Sequence, residues 1–330
     1  MTIYLRRREF IAALGGVAAV WPLAAGAQGR KRLGVLMGKV ATERWQSLLT
    51  IFRQEMGKRG WIEGENLETQ VRWNAADPTL TQAYATDLVG LFKPDVLLSE
   101  SSVNLATLQR ATSTIPIVFL SVSDPVEQGF VPNLPHPGGN ITGFANAEFS
   151  IAGKWADLIK QMAPSITRVA YIFDTEVPNR LFLRAIEAAA PSLGIGVVAE
   201  PVGSTAEIET VLARVVRESN IGVIFSGSFL MLRAKLIVET VARYRLPAIY
   251  GGVDEIFMAE GGLMQYFNDI SEQYRLAPFY VDRILKGTKP GDLPVHLPTK
   301  FKFIINRNTA SALGIEVPLG LLLAADEVIE

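Results

Sequence analysis

The 330-residue chain contains no cysteine and only two histidines, His136 and His296. The lack of cysteine excludes disulfides, iron–sulfur clusters, thiol nucleophiles and a lipidated cysteine that would tether the chain to a membrane. The two histidines lie far apart and beside prolines, which indicates surface loops rather than a metal site or a catalytic base. The 32 lysines and arginines nearly balance the 33 aspartates and glutamates, so no strong field favours nucleic acid.

Residues 1–27 differ in composition from the rest of the chain. A cluster of three arginines precedes a short apolar stretch and then small residues. This order is typical of an export signal, here cleaved after Ala27 so that the mature chain begins at Gln28. Residues 7–11 also fit the twin-arginine export pattern, and the alternative is a general secretory signal that happens to contain three arginines. The apolar stretch is too short to span a ~30 Å hydrocarbon core, and no later stretch has the length and apolarity of a transmembrane helix.

From residue 28 onward, short apolar segments alternate with stretches of helical periodicity. The segment 33–37 is typical of a parallel strand buried on both faces, and the stretch after it repeats large apolar residues at helical spacing. The alternation predicts further strands at 67–73, 95–98, 115–120, 168–173, 196–199, 221–225, 246–250 and 262–266, and helices at 102–111, 179–190, 206–219, 229–243 and 270–285.

A stretch rich in proline and glycine, residues 132–140, separates two runs of this alternation. Strands connected by helices form right-handed βαβ units, so each run predicts one doubly wound α/β lobe with a parallel sheet. We expect an N-terminal lobe over 28–145, a C-terminal lobe over 146–265, and a segment 266–330 whose crossover helix and tail complete both. Ligands bind beyond the carboxyl ends of strands in such sheets, which predicts a site in the cleft between the lobes.

Polar residues follow the predicted strands of the N-terminal lobe. Hydroxyl and backbone N–H groups at a helix N-terminus suit a carboxylate ligand. Helix capping explains Thr42, Ser101 and Ser102 equally well, and a turn before proline explains Asp124. The candidate ligand-binding residues of this lobe are Thr42, Ser101, Ser102, Ser123 and Asp124.

The C-terminal lobe offers carboxylates that suit an ammonium group, hydroxyls for hydrogen bonds and aromatic side chains for a wall. For each aromatic residue the alternative is core packing, and for Asp269 it is capping of the helix predicted at 270–285. The candidate ligand-binding residues here are Asp174, Ser226, Ser228, Phe229, Asp254, Tyr266 and Asp269.

Several motifs occur together, in order, along the mature chain. They are Ser-Asp-Pro-Val at 123–126, Pro-Gly-Gly-Asn-Ile-Thr-Gly at 137–143, and the segments 184–190, 245–251, 260–264, 280–287 and 298–314. In these motifs the chain resembles the ABC-transporter substrate-binding family that includes tryptophan- and tyrosine-binding proteins. The resemblance implies a type I periplasmic-binding fold, in which two lobes joined by three crossings close on a solute and dock on a membrane permease.

The chain departs from the family at residues 265–269, where relatives often read Ser-Tyr-Gly-Pro-Asp and this sequence reads Gln-Tyr-Phe-Asn-Asp. Phe267 is bulky at a position where glycine is common in the family. The shape of the pocket, and with it the ligand class, therefore does not simply carry over from the relatives.

Motifs for catalysis are lacking. The sequence contains neither a His-Glu-x-x-His metal pattern nor a Gly-x-Ser-x-Gly elbow, and its glycines lack the spacing of a dinucleotide-binding turn. We therefore expect no enzyme, cofactor or metal, with an exported hydrolase as a remote alternative. A transcriptional sensor would need a DNA-binding module ahead of Leu33, where the export signal lies.

These observations together predict a monomeric periplasmic protein without a lipid anchor. We expect it to bind a small solute, with an amino acid or related carboxylate as the best candidate and an aromatic one among the options. Its expected partners are the membrane subunits of an ABC permease, and nucleic acid is not among them. The alternative is an exported receptor that signals to a sensor kinase or serves a different kind of transporter.

Overall fold

The computed structural model describes residues 29–146, 148–175, 177–252 and 255–330, with the backbone alone described at 177–179 and 228. The export signal predicted at 1–27 lies outside the described residues. Within the described ranges, none of the helices combines the length and the apolar character needed to cross a bilayer.

The first sheet has five parallel strands in the order β2-β1-β3-β4-β5. Its central strands are short and almost wholly apolar because both of their faces are buried. The strands are β1 (Lys31–Met37), β2 (Leu67–Trp73), β3 (Val96–Glu100), β4 (Ile117–Val122) and β5 (Ile141–Ala145).

The second sheet has seven strands in the order β12-β11-β10-β9-β8-β6-β7. All neighbours are parallel except β10 and β11, which pair antiparallel. The strands are β6 (Arg168–Phe173), β7 (Gly196–Pro201), β8 (Ile221–Ser226), β9 (Ala248–Tyr250), β10 (Met264–Asn268), β11 (Phe301–Asn306) and β12 (Glu327–Ile329).

Helices cover both faces of each sheet. Around the first sheet these are α1 (Glu43–Lys58), α2 (Pro78–Asp87, continued by a π-helical turn, Leu88–Phe92) and α3 (Ser102–Ala111). The remaining helices are α4 (Ile151–Met162), α5 (Val177–Leu193), α6 (Thr205–Val215), α7 (Ser228–Met231), α8 (Ala234–Arg243), α9 (Ile256–Ala259), α10 (Ile270–Leu285), a 3₁₀ turn (Pro290–Asp292), α11 (Arg307–Leu313) and α12 (Leu319–Ala324).

Each sheet lies between two apolar cores. Alternate residues of β1 point to opposite faces, so that Val35 packs with α1 and α10 while Leu36 packs with α2 and α3. The second sheet likewise separates the core around Trp155 of α4 from the core around Leu212 of α6. The crossover helix α10 thus follows a strand of the second sheet and packs on the first.

The prediction of two doubly wound α/β lobes is confirmed. One strand was missed and two helix predictions are wrong. Strand β5 was hidden in a glycine-rich stretch, where Gly143 is required because a Cβ there would lie 2.2 Å from the carbonyl oxygen of Phe119. The helix predicted at 206–219 ends at Val215, and the helix predicted at 229–243 is broken at Arg233 into α7 and α8.

The carboxyl edges of the two sheets face each other. Strand β5 ends at Ala145 and the chain then enters α4, whose first residue lies at the carboxyl edge of the second sheet because α4 leads back to the start of β6. Strand β10 returns the chain to α10, and a segment after His296 crosses once more to β11. Three crossings therefore join one carboxyl edge to the other.

Candidate functional site

The crossings are held together by side-chain amides. The Gln273 side chain, buried at the start of α10, accepts a hydrogen bond from the Ser121 amide (2.9 Å) and donates one to the Ala145 carbonyl (3.1 Å). The Asn268 amide group donates to the Asn146 carbonyl. These bonds fix the ends of β4, β5 and β10 relative to α10, and so define the base of the cleft.

The end of β3 carries the most unusual backbone of the cleft. Ser101 has φ 86° and ψ 153°, a conformation found almost only for glycine, and its hydroxyl accepts from the Asn104 amide at 3.4 Å. On the neighbouring strand, Ser121 has φ 58°. The predicted capping role of Ser101 is therefore present, and Ser102 is the first residue of α3, half-buried beside it.

Glu100 is the buried charge at this edge, with only 1% of its surface exposed. Its Oε2 accepts a hydrogen bond from the Gly38 amide at 3.0 Å, and the Lys39 ammonium lies 3.9 Å from its Oε1. Burial raises the pKa of this carboxyl, and the nearby ammonium and amide oppose the rise. Neither Glu100 nor Lys39 is among the candidate residues predicted from the sequence, although a charge that closely follows an apolar strand is a usable signal.

The other candidates of the N-terminal lobe lie at the same edge. Thr42 is exposed before α1, and its side chain makes no capping hydrogen bond to that helix. The Asp124 carboxylate accepts from the amides of Val126 (3.2 Å) and Glu127 (3.0 Å), so it stabilises a turn as the alternative interpretation predicted. Ser123 and Asp124 also line a cavity of about 340 Å³ together with Phe149, which lies just before α4.

In the C-terminal lobe, the structure brings Asp174, Ser226 and Phe229 together at the ends of β6 and β8. The Asp174 carboxylate is buried, and its Oδ2 accepts from the Phe229 amide at 3.0 Å. Gly227 has φ 136°, and a Cβ at this position would lie 2.3 Å from the same Oδ2. The Phe229 ring packs against the Arg233 guanidinium, 3.5 Å from the ring centroid.

Two candidates near the crossing have structural contacts. Asp269 caps α10, because its carboxylate accepts from the Ser271 amide (3.0 Å) and hydroxyl (2.5 Å). The half-buried Tyr266 ring stacks on Phe301 with centroids 5.6 Å apart, and its backbone carbonyl accepts from the Trp155 indole at 2.7 Å. Capping and core packing, the alternatives weighed for these two residues, are thus what the structure shows.

Asp254 and the side chain of Ser228 lie outside the described residues. In the described part of the chain, no group of three or more histidine, aspartate or glutamate side chains is placed to hold a metal ion. Apart from Tyr266 and Asp269 near the crossing, the described candidates lie in two sets, one on each facing carboxyl edge.

The sequence and fold described above can be compared with those of known proteins. The sequence profile of the ABC transporter substrate binding protein family matches residues 52–329. The chain belongs to this family. A tyrosine-binding protein of Clostridioides difficile (strain R20291) is 23% identical over 266 residues, which cover 80% of this chain and 76% of the relative. The members of this family are substrate-binding proteins rather than enzymes.

Solved structures show the same fold. An ABC domain from Streptococcus pneumoniae in complex with L-Trp matches with a TM-score of 0.78, at 21% identity over 91% of this chain and 100% of that one. The ligand-free, open structure of a Clostridium difficile substrate-binding protein with adhesive properties matches at 0.75, with 22% identity over 91% and 99% of the two chains. The architecture is the type I periplasmic-binding fold.

Proposed function

We propose that the chain is the periplasmic solute-binding component of an ABC uptake transporter, and that its solute is an aromatic amino acid or a related small carboxylate. The single observation that carries the proposal is the pair of facing carboxyl edges, each with its own set of polar groups. The name of the tyrosine-binding relative and the L-Trp in the Streptococcus structure support the aromatic class.

The two edges suit opposite ends of an amino acid. On the N-terminal side, Ser101 and Ser102 stand at the N-terminus of the ten-residue helix α3, where hydroxyls and backbone N–H groups favour a carboxylate. On the C-terminal side, Asp174 supplies a negative charge for an ammonium group, and Phe229 supplies an aromatic surface beside it. We propose this orientation for the bound solute.

Solute that bridges the two edges binds the closed arrangement better than the open one. It shifts the equilibrium by that difference in affinity, and the three crossings provide the hinge. The closed protein then docks on the permease, and opening there releases the solute.

Export is the proposed role of residues 1–27, by the twin-arginine route and with cleavage after Ala27. The chain contains no cysteine for a lipid anchor. We propose that the processed protein acts as a monomer without such an anchor.

The proposal is tested by a thermal-shift screen of the protein purified from the periplasm of an expressing bacterium. Amino acids, aromatic acids and sugars are compared, and the expected result is a raised melting temperature with an aromatic amino acid. Stabilisation by sugars alone would contradict the proposed ligand class. Ser102→Ala and Asp174→Asn are each expected to weaken binding about tenfold. Ser192→Ala, an exposed serine on α5, is the control and is expected to bind normally.

A further inference from the structure

A lysine side chain to which no role has yet been given, that of Lys39, lies at the carboxyl edge of the first sheet. Lys39 follows β1, which neighbours β3, so its side chain stands beside the Glu100–Ser101 turn. The Lys39 ammonium lies 5.1 Å from the centroid of the Trp45 ring and 3.9 Å from Glu100 Oε1. Its side chain is 37% exposed, whereas that of Glu100 is 1% exposed.

The pairing of Lys39 with Glu100 leaves hydrogen-bonding capacity unused. A separation of 3.9 Å exceeds hydrogen-bond distance, and the direct donor to the carboxylate is the Gly38 amide. An ammonium group has three donors, and in the described part of the chain none of them is placed on an acceptor within hydrogen-bond distance. Glu100 therefore attracts the Lys39 ammonium without accepting a hydrogen bond from any of its N–H donors.

The surroundings favour an anionic guest. Next to Lys39 lies the N-terminus of α3 with Ser101 and Ser102, and Glu100, whose carboxylate lies 3.9 Å from the ammonium, is almost fully buried whereas Lys39 is partly exposed. The Tyr274 hydroxyl is buried near Glu100. Burial raises the pKa of this tyrosine, and the negative charge of Glu100 raises it further. The exposed side of this cluster thus presents positive charge and hydroxyls.

We propose that Lys39 is the residue that makes the site selective for solutes with a carboxylate, and that Glu100 is a positioning residue that holds the Lys39 ammonium at the cleft edge. The inference rests on the proposed function, since it names the group that receives the anionic end of the solute. A charge-assisted hydrogen bond to Lys39 discriminates a carboxylate from its amide, which carries no negative charge.

The test is isothermal titration of the periplasmic protein with L-tryptophan and L-tyrosine, each compared with its carboxamide and with a panel of neutral sugars. The wild-type protein is expected to prefer the acid over the amide by about 30-fold. Lys39→Met is expected to lower this ratio to about threefold by weakening the acid alone, and Lys39→Arg to restore most of it. Lys93→Met, an exposed lysine before β3 and far from the carboxyl edge, is the control and keeps the full ratio.

A purely structural role for Lys39 predicts a different pattern. If Lys39 only neutralises Glu100, the double variant Lys39→Met/Glu100→Gln regains the wild-type preference for the acid, and that result overturns the proposal. A single Lys39→Met variant that keeps the preference also overturns it. Binding of neutral solutes alone overturns the inference and leaves the solute-binding function standing, whereas a protein that binds no solute of any class overturns both.

Discussion

The two cleft edges are built from the same kind of strand-to-helix turn, and both contain residues with positive φ, but the residue type at these positions differs. On the C-terminal side the turns after β8 and β9 contain Gly227 and Gly252, with φ 136° and 143°. On the N-terminal side, the ends of β3 and β4 place Ser101 and Ser121 at φ 86° and 58°. Glycine adopts positive φ without strain, whereas a serine in such a conformation costs about 1–3 kcal/mol.

The difference suggests where side chains matter most. Serines that keep their hydroxyls at a strained position indicate that the N-terminal edge needs those groups, because glycine would fit better there. The charged side chains of the two edges also differ in how firmly they are held. Asp174 is tied to the Phe229 amide, whereas Lys39 is held near Glu100 without a hydrogen bond. We therefore expect the C-terminal edge to be the more rigid wall and the N-terminal edge to be the more selective one.

The largest expected effect is on the C-terminal edge. Gly227→Ala would bring a Cβ to 2.3 Å from the Asp174 carboxylate at φ 136°, so we expect a loss of about 3 kcal/mol in the free energy of unfolding, measured by urea denaturation. Gly261→Ala, at φ 90° in open space, is the matched control and should lose about 1 kcal/mol from the backbone conformation alone. Equal losses in the two variants would mean that Asp174 yields readily.

On the N-terminal edge, Glu100→Gln tests the buried carboxyl. Because the folded state raises the pKa of Glu100, that state binds the proton more tightly than the unfolded chain, and stability falls as the pH rises from the ordinary glutamate value through the raised one. Glutamine removes this loss. The variant should match the wild type near pH 4 and have the higher free energy of unfolding near pH 8, in denaturant titrations across that range.

A difference that does not vary with pH, or a variant that is less stable than the wild type near pH 8, would contradict this interpretation of Glu100. Glu127→Gln, at an exposed turn of the same lobe, is the matched control for the loss of one carboxylate.

Asp269 belongs to neither edge, and its substitution separates the hinge from the site. Asp269→Ala removes the cap of α10 and should cost about 1 kcal/mol in thermal or urea unfolding. Asp269→Ser keeps a capping oxygen and should recover most of the loss. Solute affinity that falls equally with Asp269→Ala and Asp269→Ser, although the serine restores stability, would show that the carboxylate itself contacts the solute.

The smallest expected change in stability is at Ser101. Ser101→Gly relieves the backbone strain but removes a weak cap, so we expect a net gain of about 0.5 kcal/mol in the free energy of unfolding. Solute affinity, measured by titration calorimetry, should fall in the same variant. If stability and affinity both rise, the N-terminal edge is not the selective one.

Much of the fold follows from the alternation of apolar segments and helical periodicity, which gave both lobes and most strands. Strand β5 escaped because its glycine, required by the close approach of Phe119, resembles a loop signal. Strand β12 and helices α11 and α12 belong to the C-terminal tail, in which the apolar pattern predicted no elements and only the family resemblance indicated that the segment completes the lobes.

The site was harder to predict. Residue type and the position after a strand identified Ser101, Ser102 and Asp174, but the same features describe helix caps and turns. The partnership of Lys39 with Glu100 joins residues 61 positions apart through the adjacency of β1 and β3, and a single sequence does not reveal that adjacency.

The central claim is that the solute is held between the two carboxyl edges and closes them. Its most direct test is small-angle X-ray scattering of the periplasmic protein with and without the aromatic amino acid that raises its melting temperature most. The account predicts a smaller radius of gyration at saturation, because the lobes rotate together about the three crossings. An unchanged radius of gyration at proven saturation would contradict it.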